Sequence, residues 1–455
     1  MTEIKKICKS LFEMESSLSL FDLRIHGIEI WKVIRHPLFL EIIKQKDLNN
    51  SPHFIQSKRK KMYTIPNKIY NSFFRNPLIG NYSISNIVFE SPRKKLFNGE
   101  FIDIYTYDVL NKLQSSNVEI IDSAFKDKYI SKDKKNRKYL DYIYLNSLIS
   151  QKISNKKNFV LPADIEKKIA LIEFELNVSL KVEIDLKKFL KPHLIKYMAN
   201  YKLYYKLFER RKPKKIYIVC SYGKEALIQA AKDNMCEVIE VQHGVISPYH
   251  LGYNFPRNVR INSFPDKVIL WGDYWKDVVN FPIDGNHLIV QRNTYLYGQF
   301  NECRTIKKNE NQVIVLSQGT IGEKLSELMY EVIKNLPSFQ FIYKLHPSEF
   351  GDELTVYPFL EKMKTLENCR LVGDSQSLHN LLAKSKYQIG VNSTAIYEGI
   401  ELGCKTVIVD LPGHEHLEEV YNKKLAKLVK NKEEITIELR KESNYKSVNK
   451  GYFFK

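Results

Sequence analysis

The chain has 455 residues, 44% hydrophobic and 12% aromatic, which suffices to bury the cores of two globular domains of roughly 200 residues each. Its 71 Lys and Arg against 52 Asp and Glu leave a net charge of +19, so the partners to consider are anionic: phosphorylated substrates, a membrane face or nucleic acid. Six cysteines without paired short spacing argue against a disulfide scaffold. Neither a leader-like apolar stretch at the start nor a run near the roughly 18 residues of a spanning helix occurs, and a cytoplasmic protein is expected.

Residues 1–80 read as a helical N-terminal extension, with the apolar stretch Ile28 to Ile43 interrupted at Pro37. Asn86 to Glu90 is the first clear strand, and Phe101 to Tyr105 follows as a second after the Asn98-Gly99 turn signal. Residues 126–212 are charged and helix-rich, with Ile165 to Val182 as one amphipathic helix. Lys215 to Cys220, Cys236 to Val241 and Lys267 to Trp271 form a strand series with helices between them, the rhythm of a Rossmann-like domain over residues 81–297 with a helical insertion. The polar run 298–311 is expected as a linker. A second strand series opens at Val313 and closes near Lys430, giving a second Rossmann-like domain over 312–430. The tail 431–455 is expected to hold a helix around Glu433 to Arg440.

Basic residues concentrate in Lys58 to Lys61, Arg93 to Lys95, Lys132 to Lys138 and Arg210 to Lys215, with Tyr63, Tyr70, Phe73 and Phe74 interleaved. That mixture suits a surface lying against anionic lipid head groups, and equally suits solvated basic faces without a partner. No nucleic-acid module accompanies the charge, so nucleic acid is not an expected partner.

Chemistry concentrates at strand ends. Phe341 to Pro347 is a strand that ends in Lys344, His346 and Pro347, where ligands of open α/β sheets bind. Ser393 and Thr394 follow the strand Gln388 to Val391 at a helix start, where free backbone N–H groups would meet an anion, and Glu398 lies one turn further on. Gly319 and Thr320 belong to a small-residue loop after Val313 to Leu316 that admits close backbone approach. In the first series, Gln242, His243, Gly244 and Ser247 follow an apolar strand at the rim of the expected cleft, and an imidazole there is a candidate general base. No Asp-x-Asp pair, nucleophile elbow or HExxH motif is found, so neither metal nor cofactor is expected.

Together these motifs resemble GT-B glycosyltransferases, above all the bacterial capsule-synthesis transferases, the CDP-glycerol polyol-phosphate polymerases and certain sialyltransferases. Those families carry a Lys-x-His-Pro motif, here Lys344 to Pro347, and a later Ser/Thr-rich helix start with a Glu one turn in, here Ser393, Thr394 and Glu398. The polymerases also carry an earlier His-Gly, here His243 and Gly244, but theirs continues differently from Val245-Ile246-Ser247-Pro248, which puts a polyol acceptor in doubt. The resemblance implies an α/β GT-B fold with two Rossmann-like domains facing a central cleft. It implies metal-independent transfer of a sugar from a nucleotide-sugar donor, CMP- and CDP-linked donors being the ones suggested, to a surface glycan such as capsule or lipopolysaccharide. The donor would lie on Lys344, Pro347, Gly319, Thr320, Ser393, Thr394 and Glu398, with His243 and His346 catalytic and Gln242, Gly244 and Ser247 beside a glycan or lipid-linked acceptor. Transfer of a polyol phosphate, epimerisation of a nucleotide sugar, and glycan or membrane binding without turnover are the alternatives. A peripheral position at the inner face of the cytoplasmic membrane is the matching expectation.

Overall fold

The computed structural model describes residues 2–48, 65–113, 117–125, 128–130, 137–154, 160–346, 349, 357–441 and 444–455. The N-terminal region opens with α1 (Glu3–Ser17), whose Ile4, Ile7, Cys8, Leu11 and Met14 recur at helical spacing and are buried. A short hairpin, β1 (Arg24–Ile25) and β2 (Ile28–Glu29), leads into α2 (Ile30–Gln45). The expected interruption at Pro37 does not occur: α2 runs through it. Proline in a helix interior costs about 3 kcal/mol, and burial of Trp31, Ile34, Leu38 and Ile42 along the same helix offsets it.

The first sheet is all parallel and has seven strands: β3 (Asn86–Phe89), β6 (Val118–Asp122), β7 (Arg137–Tyr139), β8 (Lys215–Val219), β9 (Glu237–Val241), β10 (Lys267–Leu270) and β11 (Leu288–Val290). Their spatial order is β11-β10-β9-β8-β3-β6-β7. Phe101 to Tyr105 does not join it. Glu100–Ile102 (β5) instead pairs with Lys95–Phe97 (β4) in a separate hairpin, turned by Asn98 and Gly99 at φ 49° and 80°. Among the helices covering this sheet are α3 (Ile65–Phe74), α4 (Tyr107–Lys112), α5 (Asp141–Ser154), α6 (Ala163–Leu180), α7 (Leu186–Arg211), α8 (Glu225–Asp233) and the short α9 (Tyr274–Asp277).

Residues 298–311 are not an irregular linker. They hold the end of α10 (Thr294–Cys303) and the start of β12 (Asn309–Leu316), because Leu296, Phe300 and Cys303 give α10 a buried side. The second sheet contains β12, β13 (Gln340–Lys344), β14 (Cys369–Val372), β15 (Ser385–Gly390), β16 (Lys405–Val409) and β17 (Lys427–Val429), all parallel, in the order β14-β13-β12-β15-β16-β17. Counted within each domain, the second sheet runs 3-2-1-4-5-6, the doubly wound Rossmann order, the first runs the same way with a seventh strand added at its edge, and the chain has the two-domain GT-B architecture with a helical N-terminal region. Its further helices include α11 (Gly322–Lys334), α12 (Pro358–Lys364), α13 (Leu378–Lys384), α14 (Thr394–Glu401), α15 (Glu418–Asn422) and α16 (Lys432–Arg440).

Beyond α16 the tail returns to the first domain. Trp275 Nε1 donates to Phe453 O at 2.8 Å, and Lys455 N donates to Trp271 O at 2.8 Å. Phe453 packs on Tyr274 and on Tyr397 of α14, so one side chain touches both domains. Gly272 permits this: a Cβ there would lie 2.5 Å from Tyr452 O. A second tie runs through Ser247 Oγ and His416 Nδ1, 2.6 Å apart, and through Glu418, which accepts from both Lys5 and Tyr249.

The N-terminal region is held by Arg35, whose guanidinium is buried between Glu15 of α1 and the carbonyls of Leu251 and Asn254. Removing one partner of a buried pair strands a charge, so Glu15→Ala should destabilise the protein by about 3–5 kcal/mol in urea unfolding, whereas an exposed pair such as Lys9 with Glu13 should be worth less than about 1 kcal/mol. Gly272→Ala should release the tail, read as faster proteolysis after residue 440 with the two sheets intact by circular dichroism.

Candidate functional site

In a doubly wound sheet the crevice opens where the strand order reverses. In the second domain that point lies between β12 and β15, at the loops 317–321 and 391–393. The predicted Gly319, Thr320, Ser393 and Thr394 therefore all sit at one switch point. Asn392 N donates to Gln318 Oε1 at 3.2 Å and joins the two loops. Ser393 is the N-cap of α14, its hydroxyl accepting from Ala395 N at 3.2 Å. Gly399 brings α14 against β15, since a Cβ there would lie 2.0 Å from Gln388 Oε1, and Gln388 Nε2 donates to Ile396 O at 2.7 Å.

Lys344 ends β13, with Nζ donating to Gly373 O at 2.8 Å and lying 3.5 Å from Asp374 Oδ1. His346 lies just past the strand, its backbone N–H donating to the buried Glu349 at 2.6 Å, while Pro347 is outside the described residues. Glu398 is buried and lies 3.1 Å from His379 Nε2, so it is not a solvated helix glutamate.

The first domain answers with cations. Arg93 and Lys95 lie beyond the C-terminal end of β3, at that sheet's own switch point, and their charges interact with Lys344 across the seam. Burial holds Lys95 and Lys344 below the usual lysine range; Arg93 pushes both the same way, while Asp374 opposes it. The carboxylate of Asp374, 3.5 Å from Lys344 Nζ, lies among these cations. The second switch point also keeps a buried side-chain oxygen without a hydrogen-bond partner, Asn392 Oδ1.

His243 follows β9. Its Nε2 lies 3.2 Å from Tyr222 OH and its Nδ1 3.4 Å from Tyr253 OH, and Tyr253 OH donates to the fully buried Glu240 at 2.5 Å. A phenol has one proton. With that proton on Glu240, Tyr253 can only accept from Nδ1–H, which leaves the lone pair on Nε2. Burial, with Lys224 a smaller cause, lowers the His243 pKa to about 4 and keeps the ring neutral at pH 7. Tyr105 packs edge-on against His243, ring centroids 6.3 Å apart.

Further histidines crowd the same wall. His36 from α2 stacks on His250 at 5.9 Å, and His250 lies 5.1 Å from the Tyr222 ring. His36, His250 and His416 line a cavity of about 230 Å³ with Gln318, Thr320 and Asn392. Burial lowers all three pKa values, those of His36 and His416 to about 4.

Among the acceptor-side expectations, Gln242 is corrected. Its amide is consumed by backbone, accepting from Trp271 N at 2.9 Å and donating to Gly244 O at 3.0 Å, and it is buried. Ser247 is buried on His416 and joins the domains. Gly244 has nothing within 4 Å of a notional Cβ, so packing within the chain does not demand glycine there. Glu240, Tyr222, Tyr253, Tyr105, Arg93 and Lys95 were not singled out for the cleft from the sequence. Only Glu240 left a readable signal, a carboxylate inside an apolar parallel strand.

No family model matches the chain. A curated relative, the uncharacterized protein MJ1060 of Methanocaldococcus jannaschii, is 24% identical over 188 residues, 38% of this chain and 32% of the relative. The chain's match thus spans about a third of that relative's length. Solved structures to which it is similar include the UDP-GlcNAc 2-epimerase of M. jannaschii, with TM-score 0.45 and 13% identity over 82% of this chain and 96% of that one. Another is the glycosyltransferase SnogD of Streptomyces nogalater, with TM-score 0.43 and 10% identity over 78% and 91%.

The buried imidazoles set a pH dependence. An unfolded histidine takes its proton near 6.5, so rings held at about 4 favour the folded state above that pH and withdraw their support as pH falls toward 4. In ¹⁵N NMR, His243 should remain the neutral Nδ1–H tautomer from about pH 8 to about pH 5. A midpoint between 6 and 7 would contradict its burial, and Tyr253→Phe should shift the ring toward a mixture of tautomers.

Proposed function

We propose that this chain is a metal-independent glycosyltransferase that moves a sugar from a nucleotide-sugar donor to a hydroxyl of a surface glycan. The observation that carries the reading is that both sheets carry polar groups at their switch-point strand ends, Arg93 and Lys95 beyond β3 in the first, Lys344 at the end of β13 and Ser393 at the start of α14 in the second, with His243 held by Tyr222 and Tyr253 beyond β9. The donor diphosphate would lie among those cations and the N-terminus of α14 at Ser393 and Thr394, with the loop at Gly319 and Thr320 beneath it. His346 would stabilise the leaving phosphate, and Glu398 would receive ribose hydroxyls by exchanging its contact with His379.

In the reaction the acceptor hydroxyl would replace Tyr222 at His243 Nε2 and give up its proton there as its oxygen attacks the anomeric carbon. The bond from that carbon to the donor phosphate breaks, and the negative charge that develops falls among the cations of the seam. The imidazolium then faces Glu240 through Tyr253, which lowers its cost in a buried site. Capsule or lipopolysaccharide as the acceptor rests on the likeness of Lys344-Leu345-His346-Pro347 and His243-Gly244 to the surface-glycan transferases.

Three variants separate the roles. Lys344→Ala should shrink the thermal stabilisation given by a panel of nucleotide sugars. His243→Ala should bind the donor about as well as wild type but transfer about 10²- to 10⁴-fold more slowly. His346→Ala should lower turnover about 10²-fold. Full transfer by His243→Ala would remove the base assignment; a modified nucleotide sugar released without acceptor would show an epimerase, and transfer of a polyol phosphate a phosphotransferase. The acid limb of kcat/KM should fall near pH 4 rather than 6.5, because the base works only when unprotonated.

A further inference from the structure

Two neighbouring helices of the first domain turn apolar faces outward, although Ile143 of α5 is buried in the core. On α3, Asn71 and Ser72 are buried, whereas Ile69, Tyr70, Phe73 and Phe74 are 49–68% exposed. On α5, which packs on α3, Asp141 and Ser147 are buried while Leu145, Leu148, Ile149 and Ile153 face outward at 47–58% exposure. The outward residues recur at i, i+3 and i+4, so each helix has a continuous apolar face, and that face is the one turned away from the domain core. The inner polar groups are satisfied: Asn71 Nδ2 donates to Asp141 Oδ2 at 3.1 Å, and Tyr129 OH donates to Asp141 Oδ1 at 2.7 Å. The inversion is therefore a built feature of the fold, and an exposed apolar area of this kind marks a docking surface.

Charge decides the occupant. Lys152 on α5 is exposed, and α7, which packs on α5, exposes Lys196, Lys202 and Lys206. A second copy would bring this rim, and a net charge of +19, against its own likeness. No described helix is long and apolar enough to cross a bilayer. We infer that the α3–α5 face lies on the surface of an anionic phospholipid bilayer, its aromatic and aliphatic side chains reaching the acyl boundary and its lysine rim the head groups. This inference stands independently of the proposed reaction.

The test is co-sedimentation of the full chain with vesicles of phosphatidylcholine alone or mixed with phosphatidylglycerol. Wild type should bind the anionic vesicles about 10-fold or more tightly and release in about 0.5 M salt. The double substitution Phe73→Ser with Leu148→Ser should lower partitioning about 10-fold or more. Lys202→Glu with Lys206→Glu should lower it about 10-fold while leaving the apolar face and the melting temperature unchanged, which guards against a variant that fails to fold. Equal binding to neutral vesicles, wild-type binding by both variants, or a dimer that the serine variant dissociates in a protein without vesicle affinity would overturn the inference.

Discussion

The Arg35 guanidinium is the interaction on which the candidate active wall depends. The chain between His243 and Phe255 is irregular and largely enclosed, so its carbonyls need donors that no strand or helix supplies. Arg35 provides them at Leu251 and Asn254, the residues that flank Tyr253, and Glu15 keeps the charge paired. With its backbone held on either side, Tyr253 can reach both Glu240 and His243 and set which ring nitrogen carries the proton. The N-terminal helices are in this sense a support for the site, and α2 also carries His36 to its edge.

The two walls store opposite kinds of electrostatic tension. On one, cations are gathered and half-desolvated, so an anion relieves them. On the other, imidazoles are buried and held neutral, so a proton arriving there is costly unless Glu240 shares it. Placing both at the C-terminal edges of parallel sheets follows from the crossover rule: every strand-to-helix loop in a parallel sheet leaves from the same edge. Two sheets whose edges face each other thus bring their strand-to-helix loops to one seam, and the ties through Phe453, His416 and Glu418 hold that seam together.

The net charge is less a surface property than its size suggests. Lys94 and Arg137 are paired with Glu90 and Asp122, Lys32 with Glu225, and Arg211 caps the carbonyls of Pro77, Ile79 and Gly80. Three of the four basic clusters noted in the sequence are thereby partly internal, and the fourth, Lys58 to Lys61, lies outside the described residues together with Tyr63. Tyr70, Phe73 and Phe74, by contrast, are exposed.

What the sequence determined by itself is the local grammar. Short apolar runs bounded by turn residues announced both series of parallel strands, Asn98-Gly99 its turn, Ser393 its cap and the stretch Ile165 to Val182 a helix, observed as Ala163–Leu180. The predicted His243, His346, Lys344, Ser393 and Thr394 occupy strand-end positions because strand ends are readable in one dimension. Tertiary structure alone decided what those positions meet. Nothing local tells Arg93 and Lys95 that Lys344 stands opposite, or His243 that Tyr222 and Tyr253 will take its two nitrogens, since these pairings arise when elements distant in sequence close on one another. Gln242 and Lys94 read as available polar groups and are spent inside the fold. The apolar faces of α3 and α5 point outward, because periodicity records that a helix has two faces and leaves to packing which of them is buried.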